Sequence, residues 1–324
     1  MSEKQLKIIN IILIIILILL LPIPRYKVST PGRGSLISEA YDYTSTKEQS
    51  IYVPYVLTKG ATLGYYIRSK FDDRIDLFQY KESFFRDDEY EIVSEIGRNM
   101  VNETYYRALR WLLDYEGIEY SIDNENFTIA FVSEESNFEL KEEDVIKKVN
   151  DRIINNFDDF YEAIGDIDDE EEFNITVLRD EKEVEITGKR YYDDEREQYL
   201  VGIIGSEYYE INTDVGFEIN EQRRVSGSSG GLATALSMYY TYTQEELFIN
   251  IYATGEITKD GDVLKVGGIK HKLIGGDNNA DLFILPYENK EESEKVVEDF
   301  SIQTEIIYVS SIIEAIDKLN LKMK

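Results

Sequence analysis

"VSGSSGGLATALSMYY", residues Val225 to Tyr240, decides how the chain is read. A Ser/Gly cluster runs straight into an apolar stretch in which Leu232, Ala233, Leu236 and Tyr240 fall at helical spacing. The spacing predicts a helix over 232–240 with Ser229 just ahead of its N-terminus. Unsatisfied N–H groups and the positive end of the helix dipole then point at whatever lies beside Ser229. An acyl-transfer oxyanion needs such donors, and glycines let a substrate backbone approach closely. Ser is also a preferred N-cap and Ser/Gly runs serve as connectors, so this stretch alone admits a plain turn as readily as a nucleophile.

Composition narrows the chemistry. The 324 residues suffice for two modest domains or one large one, and 43% hydrophobic residues allow a real core. The net charge of −29 repels phosphate backbones, which argues against nucleic acid as a partner. With no Cys, thiolate catalysis, disulfides and Cys-ligated zinc are excluded; with His271 as the single His, so is a multi-His metal site. No cofactor is expected. The chain has no G-x-x-x-x-G-K-[ST] loop, so no nucleotide is expected either.

A serine nucleophile needs a base. "GSSGG" (Gly227–Gly231) fits the G-x-S-x-G elbow of α/β-hydrolases, but that chemistry would require His271 as the base. Lysine is the other base a serine uses, and "GGIKHKL" offers Lys270 and Lys272. Two residues apart on a helix is a rotation of roughly 200°, so one of them can face Ser229; helical period does not choose which.

The N-terminal stretch "IINIILIIILILLLPIP" (Ile8–Pro24) is almost purely aliphatic. Its seventeen residues reach roughly 25 Å, near the lower limit for crossing a bilayer. "PIPRYKVS" offers no convincing cleavage site, so the reading is an uncleaved anchor with a short N-terminal stub, over 1–27. Basic residues flank both ends, so the positive-inside rule favours neither orientation. "STPGRGSLIS" reads as a turn-rich exit segment. "SIYVPYVL" (Ser50–Leu57) reads as a strand, and the period from Glu89 to Tyr115 predicts a long amphipathic helix.

From Asn126 to Arg190 the predicted order is the strand "NFTIAFV", a strand–turn–strand in "DVIKKVNDRII", the short helix "NFDDFYEAI" and a hairpin with "RDEK" at its tip. This order resembles a PDZ domain. The family usually has Gly before the Asp of its Leu-x-x-Gly-Asp-x-Ile motif, where this chain has Glu143 before Asp144. The last third alternates strand and helix: a strand at Leu247–Ala253, a hairpin at "KDGD", the strand "DLFILP", a charged helix near Glu291–Phe300, the strand "EIIYVS" and a closing helix from Ser311.

"SGSSGGLATAL", "ATGEITKDGDVLKVGGIKHKL" and "DLFILPYEN" together resemble the proteolytic domain of Lon-type peptidases, over about Ser226 to Leu321. The resemblance implies an α+β Lon-type proteolytic domain with Ser229 as nucleophile, Lys272 as the base 43 residues later, and Thr254 supporting the lysine. Gly230 and Ser228 fall at the oxyanion and substrate-backbone positions. With the anchor and the PDZ-like segment, the chain looks like the membrane-tethered, PDZ-containing Lon-like proteases of Gram-positive bacteria, which act outside the cytoplasm without ATP. This implies a catalytic fold begun at 28–120, carrying the long helix beneath its sheet, interrupted by a PDZ-like domain at 121–195 and completed at 196–324. A polypeptide substrate, contact with the lipid bilayer and a homo-oligomer are the implied partners. The runner-up is an inactive anchored PDZ binding module, because Ser228 stands where the family usually has Pro and the upstream Asp is missing from "RRVSGSS". On this reading Lys272 must be held neutral by burial, with Val266, Ile269 and Leu273 as apolar wall. His271 is a bystander and Lys270 a surface charge.

Overall fold

The structure is a computed structural model and describes residues 3–43, 50–79, 90–193, 198–219 and 227–322. Helix α1 (Glu3–Leu19) is followed by β1 (Pro22–Leu36), β2 (Tyr41–Tyr43), β3 (Ile51–Thr62), α2 (Leu63–Arg68), β4 (Asp76–Gln79) and the long α3 (Tyr90–Glu116). Then come β5 (Ser121–Val132), β6 (Val145–Val149), β7 (Arg152–Ile153), α4 (Phe157–Gly165), β8 (Phe173–Arg179) and β9 (Lys182–Gly188). The short β10 (Tyr191–Asp193) and β11 (Gln198–Leu200) precede β12 (Ile203–Asn212) and β13 (Phe217–Ile219). The last part holds α5 (Gly231–Tyr242), β14 (Ile251–Ala253), β15 (Glu256–Ile257), β16 (Val263–Leu264) and α6 (Ile269–Gly276). It closes with β17 (Leu282–Pro286), α7 (Lys290–Phe300), β18 (Glu305–Val309) and α8 (Ile312–Lys322). The architecture is mixed α+β. Two compact units emerge: Met1–Ala40, Ser45–Ser83 and Ser229–Lys324 form one, Tyr41–Thr44 and Phe84–Ser228 the other.

The first unit is built on a six-stranded sheet in the order β18-β17-β14-β3-β1-β4. Strands β18, β17, β14 and β3 run parallel, while β1 pairs antiparallel with both β3 and β4. β17 is buried at all five positions, Leu282 to Pro286, as a parallel strand covered on both faces should be. α5 is buried from Gly231 to Thr241. The expected one-sided apolar stripe is therefore a helix enclosed all round, which explains why "GLATALSMYYT" carries no charge.

Two expectations about the N-terminal region are corrected. "STPGRGSLIS" is largely strand, not a turn-rich exit: β1 runs to Leu36 with a register shift between Pro31 and Gly34. Its glycines serve close packing. A Cβ on Gly275 of α6 would lie 1.7 Å from the Gly32 carbonyl oxygen, so helix and strand backbones meet directly there. The apolar helix also stops short of Pro24. α1 ends at Leu19 because Pro22 and Pro24 cannot continue a helix, and Pro22 pairs with Thr62 of β3. Among the described residues, no helix is long and apolar enough to cross a membrane.

The second unit holds the antiparallel sheet β12-β5-β6-β8-β9, with β7 paired to β6. Phe127, Ile129, Ile146, Ile175 and Val177 fill its core. α4 starts on Asn156, whose side chain accepts the Asp159 N–H at 2.9 Å. The predicted turns fall at Asn150-Asp151 and at Asp180-Glu181; Asn150, Asp180 and Glu181 all have positive φ. Glu143 also has φ 68°, the left-handed geometry that glycine supplies freely. Asp144 beside it is buried, accepts the Lys141 N–H at 2.8 Å and is gripped by Arg179 at 2.7 and 2.6 Å.

The unit's bounds differ from 121–195. β12 pairs with β5 from Ile203↔Val132 to Asn212↔Ser121, so residues expected in the proteolytic part complete this sheet. α3 falls in this unit as well. The Glu103 carboxylate accepts the Glu207 N–H of β12 at 2.6 Å, Arg107 lies 3.4 Å from Glu207, and Tyr105, Ala108 and Leu112 are buried.

Candidate active site

Ser229 lies in a single 3-10 turn, Ser228–Gly230, that feeds directly into α5. The foot of that helix is stitched to the segment after β14. The Gly255 N–H and the Thr254 hydroxyl both donate to the Ser229 carbonyl, each at 2.9 Å. The Leu232 N–H donates back to the Gly255 carbonyl at 3.0 Å. Gly231 sits between them, where a Cβ would fall 2.9 Å from Ile257 Cγ1 and 3.1 Å from its backbone nitrogen. Gly230 is buried at the helix foot, while Ser228 and Ser229 are half-buried.

Lys272 reaches the same place from α6. That helix is entered through Gly268, whose φ of 73° and contact with Val56 both demand glycine. The Lys272 side chain turns inward, 4% of the residue remains exposed, and Nζ donates to Thr254 Oγ1 at 3.0 Å. Burial pulls its pKa from the ordinary 10.5 down to about 8, against the opposing charge of Glu292. Val266, Ile269 and Leu273 are buried in one cluster with Tyr252 and Phe283, the apolar wall that the sequence predicts.

The structure thus joins Lys272, Thr254 and the Ser229 backbone in one hydrogen-bonded path. Ser229 Oγ itself has no hydrogen bond to Lys272 Nζ among the described residues, so the path runs through the carbonyl of Ser229 and not its hydroxyl. A neutral amine beside a hydroxyl at a helix foot can take a proton from that hydroxyl and return it to a leaving group.

Lys270 is corrected in detail, and His271 lies outside this hydrogen-bonded path. Lys270 is no free surface charge: Nζ bonds the Asp76 carboxylate and donates to the Asp73 carbonyl at 3.2 Å. His271 is buried, with Nε2 2.9 Å from Asp76 Oδ2, and burial lowers its pKa. Asp76 therefore grips the outer side of α6 while Lys272, roughly 200° from Lys270, faces inward. Sequence reasoning missed Asn289. It is fully buried, accepts the Val266 N–H at 3.0 Å and donates to the Val266 carbonyl at 2.9 Å, which pins the segment leading into α6. A cavity of about 1010 Å³ occurs in the second unit, lined by Tyr105, Ile129, Glu207 and Phe217 among others, and includes none of the Ser229, Thr254 or Lys272 group.

Comparison with known proteins bears on the C-terminal part of the chain. Residues 222–322 match the family of the Lon protease (S16) C-terminal proteolytic domain. The Lon protease of Clostridioides difficile is 29% identical over 164 residues, covering 47% of this chain and 21% of that protein. Lon protease 2 of Borreliella burgdorferi is 33% identical over 96 residues, 29% of this chain and 12% of that protein. Lon protease 1 of Thermus thermophilus is 34% identical over 94 residues, again 29% and 12%. The chain spans at most about a fifth of the length of these relatives. The match supports a serine-type peptidase.

Proposed function

We propose that the chain is an ATP-independent serine endopeptidase that cleaves polypeptides with a Ser229–Lys272 dyad. The observation that carries this reading is the buried Lys272 ammonium, pKa about 8, tied through Thr254 to the turn that bears Ser229. In the proposed cycle neutral Lys272 takes the Ser229 hydroxyl proton as Oγ bonds to the scissile carbonyl carbon. Backbone N–H groups at Ser229 and Gly230 hold the resulting oxyanion. The oxyanion collapses, the C–N bond breaks, and Lys272 gives its proton to the departing amine. Water then hydrolyses the acyl ester by the same proton exchange and restores Ser229. Casein or peptide cleavage by the full chain tests this: Ser229→Ala and Lys272→Ala are each expected to lose roughly 10³-fold or more in kcat. Wild-type turnover in either variant would remove the dyad.

The tether belongs to the same proposal. α1 exposes Ile8, Ile11, Leu13, Ile14 and Leu17 to solvent, apolar surface that a bilayer would cover. The catalytic part is placed outside the cytoplasm, so proteolytic shaving of intact cells should digest the region after Lys27; digestion only after permeabilisation would reverse the orientation. The sheet of β5, β6, β8, β9 and β12 with α4 is read as a PDZ-like unit that holds polypeptide.

A second reading, an anchored binding module without catalysis, is favoured by the missing Ser229 Oγ–Lys272 Nζ hydrogen bond. A serine-reactive phosphonate decides between them. An adduct on Ser229 supports the peptidase; peptide binding without any adduct supports the module.

A further inference from the structure

The surface beside the foot of α1 is unusual for a chain of net charge −29. The Leu63 N–H at the start of α2 donates to the Leu21 carbonyl at 3.0 Å, and Gly64 packs against Leu19. α2 therefore begins where the apolar helix ends. From there it presents Tyr66 at 38% exposure and Ile67 at 45%, and the turn that follows presents Phe71 at 86%. Cations alternate with them. Arg68 and Lys70 precede Phe71 in sequence, Asp72 and Asp73 follow it, and Lys70 Nζ lies 5.2 Å from the Tyr66 ring centre. Phe78 of β4, also exposed, stands opposite Lys27 of β1.

The charge pattern is local. Residues 21–38 carry Arg25, Lys27 and Arg33 and no carboxylate; residues 50–71 carry Lys59, Arg68 and Lys70 and no carboxylate. Asp72 is the first acid, and it is shared between Arg68 at 2.9 Å and Arg74 at 2.8 Å. Aromatic and aliphatic side chains interleaved with cations, set at the end of an apolar helix, match the chemistry of a bilayer interface with anionic headgroups.

We propose that α2 and the turn after it, through Tyr66, Ile67 and Phe71 with Arg68 and Lys70, bed into the headgroup layer of an anionic bilayer where α1 leaves it. The proposal rests on the tethered reading above and adds a second contact, which fixes how the first unit lies against the membrane. Phe71 is exposed enough that Phe71→Trp leaves the packing untouched. The full chain carrying that exchange is reconstituted into phosphatidylglycerol vesicles with and without brominated acyl chains, and the unsubstituted chain supplies the background of buried Trp111, its only tryptophan. The expected result is quenching of the added indole by at least about twofold, weakening when phosphatidylcholine replaces phosphatidylglycerol. A chain that floats with the vesicles but shows no quenching beyond the background overturns this inference and leaves the tether standing. A chain that does not float with vesicles overturns both.

Discussion

Lys272 carries the chemistry at the scale of one residue. With a pKa of about 8, about one lysine in ten is neutral at pH 7. Turnover should therefore climb roughly tenfold from pH 7 to pH 9 and level off above the pKa, read as kcat/KM against pH. The same shift acts on stability. The folded pKa lies below the unfolded value, so the penalty is complete below about pH 8 and disappears as the pH rises past 10.5. Lys272→Met should therefore raise the melting temperature at pH 7, by up to roughly 3 kcal/mol in stability, with the gain shrinking towards pH 10.5. Thr254 separates hydroxyl from shape. Thr254→Val should lose at least about tenfold in kcat and displace the pH profile, because the amine loses its acceptor; Thr254→Ser should restore both. The spacing of Ser229, Thr254 and Lys272 was legible because each sits in a short motif. The bond from Thr254 to the Ser229 carbonyl was not, and neither was Asn289, since a side chain meeting a distant backbone leaves no periodic trace.

Elements show where pattern reading holds and where packing overrides it. Both turns of the second unit's hairpins were legible from Asn150-Asp151 and "RDEK", since turn chemistry is local. β1 escapes such reading because Pro and Gly usually punctuate, and nothing in "STPGRG" announces that α6 will rest on Gly32. The contact makes a sharp prediction. Gly275→Ala should destabilise the fold by roughly 1–3 kcal/mol or more, whereas Gly267→Ala, whose Cβ meets nothing within 4 Å, should change melting by no more than roughly 0.5 kcal/mol either way. In the second unit Glu143 holds a left-handed backbone without being glycine. Glu143→Gly should therefore stabilise by about 0.5–1 kcal/mol in a denaturant titration.

At the scale of the whole molecule, the proposed ATP-independent activity makes one prediction: casein cleavage should proceed at the same rate with and without ATP and Mg²⁺. The proteolytic third of the chain was legible because its motifs are dense. The division into units was not, since the pairing of β12 with β5 joins segments about eighty residues apart and periodicity carries no address. The enclosure of α5 has a practical corollary. A rod gripped on every side cannot swivel, so whatever travel brings hydroxyl and amine together must come from the few residues upstream of it or from the four-carbon stem of the lysine. Efforts to tune this catalyst should leave the rod alone and work at its doorstep, positions 227 to 229, where half-open residues meet solvent.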